Sequence, residues 1–241
     1  MSAITITDLT KKYGLLTAVD HLNLTIQEGE LFALLGLNGA GKTTTIKMLS
    51  CLIRPSDGDA VLLGDSIKDN PSAVKRKSNI SPQETAVAPN LTVFENLELM
   101  AGIYGQKADA SRKSAREMAQ RFGLDDVLRK KAKTLSGGMQ RRLSVAMALI
   151  SNPQILFLDE PTLGLDVLAR RELWLSIRQL KKHVTIILTS HYLEEVEALS
   201  DRIGIMTKGC LAAVGTTAEL IRQTGTVNLE DAFIKLSGGV L

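Results

Sequence analysis

The chain has two cysteines, Cys51 and Cys210, in no metal-like spacing. They are therefore read as reduced thiols, one at a helix end and one in a strand, rather than as a disulfide framework or a zinc site. Long apolar runs are also missing. None approaches the ~18 residues that a membrane-crossing helix needs. Charge of one sign is scarce, because 29 Lys and Arg against 26 Asp and Glu leave a net charge of only +3. Nucleic-acid backbones are usually met by a concentrated basic face, so no nucleic-acid partner is expected. The opening stretch Met1 to Thr7 lacks the charged and apolar regions of a signal peptide and reads as a first strand. Internal repeats and low-complexity tracts are absent as well. What is present is an ordinary globular composition: 241 residues, 44% hydrophobic and 23% charged, enough for one α/β domain with a small insertion.

Residues 3 to 35 carry three strand-like runs with no helix between them, which predicts a meander flanking the core. Another strand is expected near 59 to 63. From Thr92 to Ile150 the pattern turns helical, in the runs 93–100, 110–122 and 143–150. After it, strand 155–158, helix 167–181, strand 184–188, helix 192–199 and strand 202–207 alternate, which argues for parallel pairing. The stretch 228–236 reads as one short amphipathic helix.

Residues 36 to 43 read Gly36-Leu37-Asn38-Gly39-Ala40-Gly41-Lys42-Thr43, of the form G-x-x-x-x-G-K-[ST], between the apolar strand 31–35 and a helical run through Thr44. The glycines let backbone N–H groups turn inward onto phosphate oxygens, and the helix N-terminus adds partial positive charge. Lys42 is placed to reach the β- and γ-phosphates, and the Thr43 hydroxyl to meet Mg²⁺. Nucleoside triphosphate binding follows.

A second element, Ile155 to Leu158 followed by Asp159-Glu160, ends an apolar strand in two carboxylates. Buried parallel strands deliver their C-terminal residues to the crevice where ligands bind. In P-loop NTPases the first acid holds Mg²⁺ or its water, which assigns Asp159, and Glu160 then faces the γ-phosphate as the base for the attacking water. Neighbouring side chains on a strand point to opposite sides, so the two acids should do different work. A third element, Leu135-Ser136-Gly137-Gly138-Met139-Gln140-Arg141-Arg142, sets a serine cap and free N–H groups at the start of a helix. The chain thus carries two anion-seeking helix ends far apart in sequence.

Together these elements resemble the nucleotide-binding subunit of ATP-binding cassette (ABC) proteins over roughly residues 3 to 222. Lys42 and Thr43 match the family's phosphate loop, Gln83 the glutamine loop, and Leu135 to Gln140 the signature run. Asp159 and Glu160 match the Mg²⁺ carboxylate and catalytic base, Leu165-Asp166 the loop at the dimer contact, His191 the switch histidine, and Tyr13 the aromatic residue that stacks on adenine. The resemblance implies an α/β fold: a P-loop NTPase core with a mostly parallel sheet, an N-terminal antiparallel β subdomain and an inserted helical signature subdomain. Residues 1–223 would form the ATPase domain, with the helical subdomain at about 84–151, and 224–241 a short helical tail. It further implies head-to-tail dimers with ATP between the phosphate loop of one cassette and Ser136, Gly137, Gly138 and Asp166 of the other. Gln83 and His191 would join Lys42 and Glu160 in catalysis, with Gln83 also near Mg²⁺.

Met139 replaces the glutamine found in many members, and with Thr162-Leu163-Gly164-Leu165-Asp166 it is similar to the subgroup serving ABC-2 type exporters. The implied function is an ATPase that powers a separate integral-membrane permease from the inner face of the cell membrane. The alternative is a cytosolic non-transport ABC ATPase acting on ribosomes or DNA, whose members usually carry two cassettes or long coiled-coil inserts. Docking on the permease is expected through apolar residues between Gln83 and Tyr104, among them Val87, Leu91, Val93, Phe94, Leu97 and Met100, some of which must be core. The run from Lys107 to Lys133 holds nine Lys and Arg against four Asp and Glu, which reads as a solvated helical face or, less commonly, a lipid-facing one.

Overall fold

The computed structural model describes residues 1–239. Strands β1 (Ser2–Tyr13) and β2 (Leu16–Gln27) pair antiparallel. Strand β3 (Leu31–Leu35), buried at every position, runs into helix α1 (Lys42–Leu49). Strands β4 (Asp57–Leu62) and β5 (Asp65–Ser66) complete a four-stranded sheet of order β2-β1-β4-β5. Helix α2 (Pro71–Lys77) leads to β6 (Ser78–Ser81).

The helical segment follows, with α3 (Val93–Ile103), α4 (Ala108–Arg121) and α5 (Gly137–Leu149). Helix α3 opens with a reciprocal cap in which Thr92 Oγ1 accepts from the Glu95 N–H and the Glu95 carboxylate accepts from the Thr92 N–H. Next come β7 (Ile155–Asp159), α6 (Val167–Arg178), β8 (Thr185–Ser190), α7 (Leu193–Leu199), β9 (Arg202–Thr207) and β10 (Cys210–Gly215). The chain closes with α8 (Thr217–Thr224) and α9 (Leu229–Leu236). Among the described residues no helix is long and apolar enough to cross a membrane.

The second sheet has the order β10-β9-β3-β8-β7-β6, parallel throughout except for β10 at one edge. Alternation along β7 divides the core. Ile155 and Phe157 pack with Ile46 and Met48 of α1 and with Ile4, Leu22 and Ile26 of the antiparallel sheet. Leu156 and Leu158 face the other way, onto Leu97 of α3, Leu143 of α5 and Leu173 of α6. Leu229 of α9 joins Leu220, Val196 and Ile203 in a third cluster, with Phe233 packed against it.

Three expectations change. The third N-terminal run, β3, does not belong to the meander; it lies between β8 and β9 in the parallel sheet, because a strand apolar at all five positions must be covered on both faces. The helix expected to reach 181 stops at Arg178, where the Leu180 and Lys181 N–H groups tighten onto Ile177 and Arg178 and draw Leu180 into the core. Val93 and Leu97, offered as docking residues, are fully buried, whereas Leu99, Ile103 and Tyr104 stand out of the surface. Strand β6 and helix α2 gave no pattern in sequence, since Ser78-Asn79-Ile80-Ser81 has one apolar residue.

Candidate nucleotide site

The phosphate loop leaves β3 at Gly36 and enters α1 at Lys42. Two of its glycines are required by contact. A Cβ on Gly36 would lie 2.5 Å from the Met206 carbonyl, and one on Gly41, whose φ is 103°, would lie 2.5 Å from the Ala18 carbonyl. The loop floors a recess of about 540 Å³ lined by Asn38 to Thr44 and by Tyr13, Leu16, Ala18, Gln83, Glu160, Leu163 and His191. That volume suits a ligand of nucleotide size. Tyr13 is half-exposed at the rim, with Lys11 Nζ 5.1 Å from its ring centroid.

Lys42 is buried, and all three of its donors are engaged: Nζ donates to the carbonyls of Gly36 at 2.7 Å and Leu37 at 3.2 Å and pairs with Glu160 Oε1 at 3.3 Å. The other carboxylate oxygen of Glu160 lies 2.8 Å from His191 Nδ1. Asp159 takes different partners. Its Oδ1 accepts from Thr43 Oγ1 at 2.9 Å and from Thr189 Oγ1 at 2.6 Å. The two acids separate as expected, but strand alternation is not the reason. Glu160 has left the strand and adopts φ 47°, and its N–H donates to Thr189 Oγ1 at 2.9 Å. A second recess beside the first is lined by Thr43, Asp159, Gln83, Lys47 and Pro82. Thr43, Asp159 and Gln83 carry hydroxyl, carboxylate and amide oxygens, the hard-oxygen donors that Mg²⁺ prefers, so these residues fit the ion.

The structure does not bring every expected ligand to this recess. Ser136 caps α5, with its Oγ accepting from the Met139 N–H at 3.3 Å, and Asp166 caps α6, with Oδ1 accepting from the Ala169 N–H at 2.9 Å. Neither they nor Gly137 and Gly138 line the recess. Gly138 also has a local reason to be glycine, since its Cβ would fall 2.7 Å from the Ala169 Cβ where α5 crosses α6. Gly36 and Leu37 do not line the recess and contribute carbonyls to Lys42 Nζ instead. Leu16, Ala18 and Thr189 were missed, as were two buried charged residues, Arg141 and Glu195. For Arg141 a signal existed: it lies four and eight residues before Val145 and Leu149, on the apolar stripe of its helix, which points it inward.

The sequence pattern of the family described as ABC transporter matches residues 19–163, from β2 through the phosphate loop and the signature run to Asp159-Glu160 and beyond. The chain belongs to the ABC transporter family. It is 40% identical over 235 residues to the probable multidrug ABC transporter ATP-binding protein YbhF of Escherichia coli, covering 95% of this chain and 40% of that one. The ABC chain thus spans about two fifths of that relative's length. It is also 40% identical over 225 residues to the daunorubicin/doxorubicin resistance ATP-binding protein DrrA of Streptomyces peucetius, covering 93% of this chain and 68% of that one. Among solved structures, the dimeric post-hydrolysis state of an ATP-binding cassette bound to ADP and Pi superposes with a TM-score of 0.81 at 26% identity, covering 88% of this ABC chain and 98% of that one.

Proposed function

We propose that this chain binds and hydrolyses ATP, that it pairs with a second cassette around two Mg·ATP, and that it drives a separate integral-membrane permease of the ABC-2 exporter type from the inner face of the membrane. The observation that carries this reading is the Glu160 carboxylate, held between Lys42 and His191 at the mouth of the recess floored by the phosphate loop. Arriving phosphate oxygens exchange with Glu160 for one donor of Lys42, which frees that carboxylate oxygen to accept a proton from water. Water then attacks the γ-phosphorus, and the bond to the β-phosphate oxygen breaks with its electron pair leaving on ADP. Mg²⁺ held by Thr43, Asp159 and Gln83 would supply charge neutralisation on the β- and γ-phosphates. His191 keeps the carboxylate aimed, and Tyr13 offers its face to the base.

Ser136, Gly137, Gly138 and Asp166 lie outside the recess of their own chain, which supports a shared site completed by a partner cassette. The dimeric form of the structural neighbour supports the same arrangement. The multidrug-transporter and drug-resistance names of the relatives support export. Glu160→Gln tests the chemistry. Glutamine keeps the shape but accepts no proton at neutral pH, so hydrolysis should fall roughly 10²–10⁴-fold with ATP binding retained. The variant should run as a dimer with ATP and as a monomer without it. Lys42→Ala, by contrast, should lose nucleotide binding. Unmodified turnover in Glu160→Gln refutes the assignment of the base.

A further inference from the structure

Arg141 stands on α5, five residues beyond Ser136, and is only 3% exposed. Among the described residues no carboxylate forms an ion pair with it; its donors go to backbone carbonyls instead. Nε donates to Pro161 O at 2.8 Å and Nη2 to Asp159 O at 2.8 Å, while Nη1 donates to Pro82 O and, at 3.2 Å, to Gln83 O. Burial pushes the guanidinium down to about 10, opposed by the charges of Asp159, Glu195 and Glu160, so it remains a cation at neutral pH. A charge buried this deeply, gripping only main chain, needs an explanation.

The two carbonyls at 2.8 Å belong to the residues on either side of Glu160. Glu160 is itself a non-glycine residue in the left-handed region, φ 47°, a conformation that persists only where the surroundings impose it. The planar fork of arginine suits that task, because it reaches two carbonyls at fixed spacing where an ammonium would act as a point charge. We propose that Arg141 is the positioning residue of Glu160: by holding the carbonyls before and after it, Arg141 fixes the left-handed turn that aims the carboxylate at Lys42 and His191. The same guanidinium ties this turn to the Pro82–Gln83 segment and to α5, the helix capped by Ser136. A shift of α5 therefore moves Glu160 directly.

The proposal rests on the ATP-hydrolysis reading above, and the experiment separates the two. Wild type, Glu160→Gln, Arg141→Gln, Arg141→Lys and the double variants with Glu160→Gln are compared by thermal unfolding, ATP binding, steady-state turnover and single-turnover hydrolysis. Arg141→Gln should lower kcat at least about 10-fold and change KM less than about threefold, because it touches no group of the phosphate loop; Arg141→Lys should fall between it and wild type. In the Glu160→Gln background, adding Arg141→Gln should slow hydrolysis by less than about twofold, since the base to be aimed is already gone. Should Arg141→Gln not fold, the same cycle run with Arg141→Lys decides. Wild-type kcat in the Arg141 variant, or an undiminished loss in the Glu160→Gln background, overturns the positioning role while leaving the ATPase reading intact. Equal turnover in wild type and Glu160→Gln would sink the underlying reading instead.

Discussion

Removing the imidazole of His191 gives a quantitative test of how Glu160 is held. The carboxylate side chain is 7% exposed and has two side-chain partners, His191 Nδ1 at 2.8 Å from Oε2 and Lys42 Nζ at 3.3 Å from Oε1. A hydrogen bond to a charged group contributes about 1.5–3 kcal/mol. At about 1.4 kcal/mol per factor of ten, His191→Ala should therefore lower kcat roughly 10–150-fold. The lower part of that range applies if water enters the space left by the ring, which is itself 26% exposed. KM for ATP should stay within about threefold of wild type, because the imidazole makes no contact with the loop amides that grip phosphate. Initial rates of phosphate release across ATP concentrations, with binding measured separately on a fluorescent nucleotide, distinguish the two parameters. A variant with unchanged kcat and a raised KM would show that His191 serves nucleotide binding instead, and the reasoning from the Glu160 contact would be wrong.

Glu195 is buried on α7, with Oε1 accepting from Trp174 Nε1 at 3.1 Å and Oε2 lacking a well-aligned partner. Burial raises its pKa above 4.5, opposed by nearby Ser190, Thr162 and Trp174 and reinforced by Glu160. Well below pH 4.5 both native and unfolded chains hold the proton; as pH rises through 4.5 the unfolded chain releases it first, so stability falls as pH rises toward the native value. Glu195→Gln removes that dependence, and its advantage in thermal midpoint over wild type should grow as pH rises above 4.5; a constant difference would contradict the upward shift. On α3, Leu97→Asp should unfold the helical segment at a cost of about 4 kcal/mol or more, because Leu97 is fully buried. Ile103→Asp, at a position 66% exposed, should change stability by less than ~0.5 kcal/mol yet release the protein from membranes that hold the proposed permease. Retained association in a folded Ile103→Asp protein would move the docking surface elsewhere.

The contiguous phosphate loop and the acidic end of β7 were legible in sequence because their chemistry depends on adjacent residues and on one strand or helix end at a time. The parallel core was legible only from residue 155 onward, where strands alternate with helices; β3 reads as part of the meander, although a strand apolar at every position needs cover on both faces. Periodicity did not say which apolar residues of α3 face inward, since Leu97 and Leu99 are equally apolar and only the packing of α4 and α5 separates them. Nor could it reveal β6, a polar strand whose partner is β7, far along the chain. Family resemblance named Glu160, His191 and Lys42 as catalytic residues one by one, and only the fold showed that Glu160 contacts the other two. The clamp of Arg141 on the carbonyls of residues 82, 83, 159 and 161 had no sequence signature beyond one inward helix position. Backbone carbonyls are the same in every residue type, so contacts made to them are decided by where the tertiary structure places the main chain.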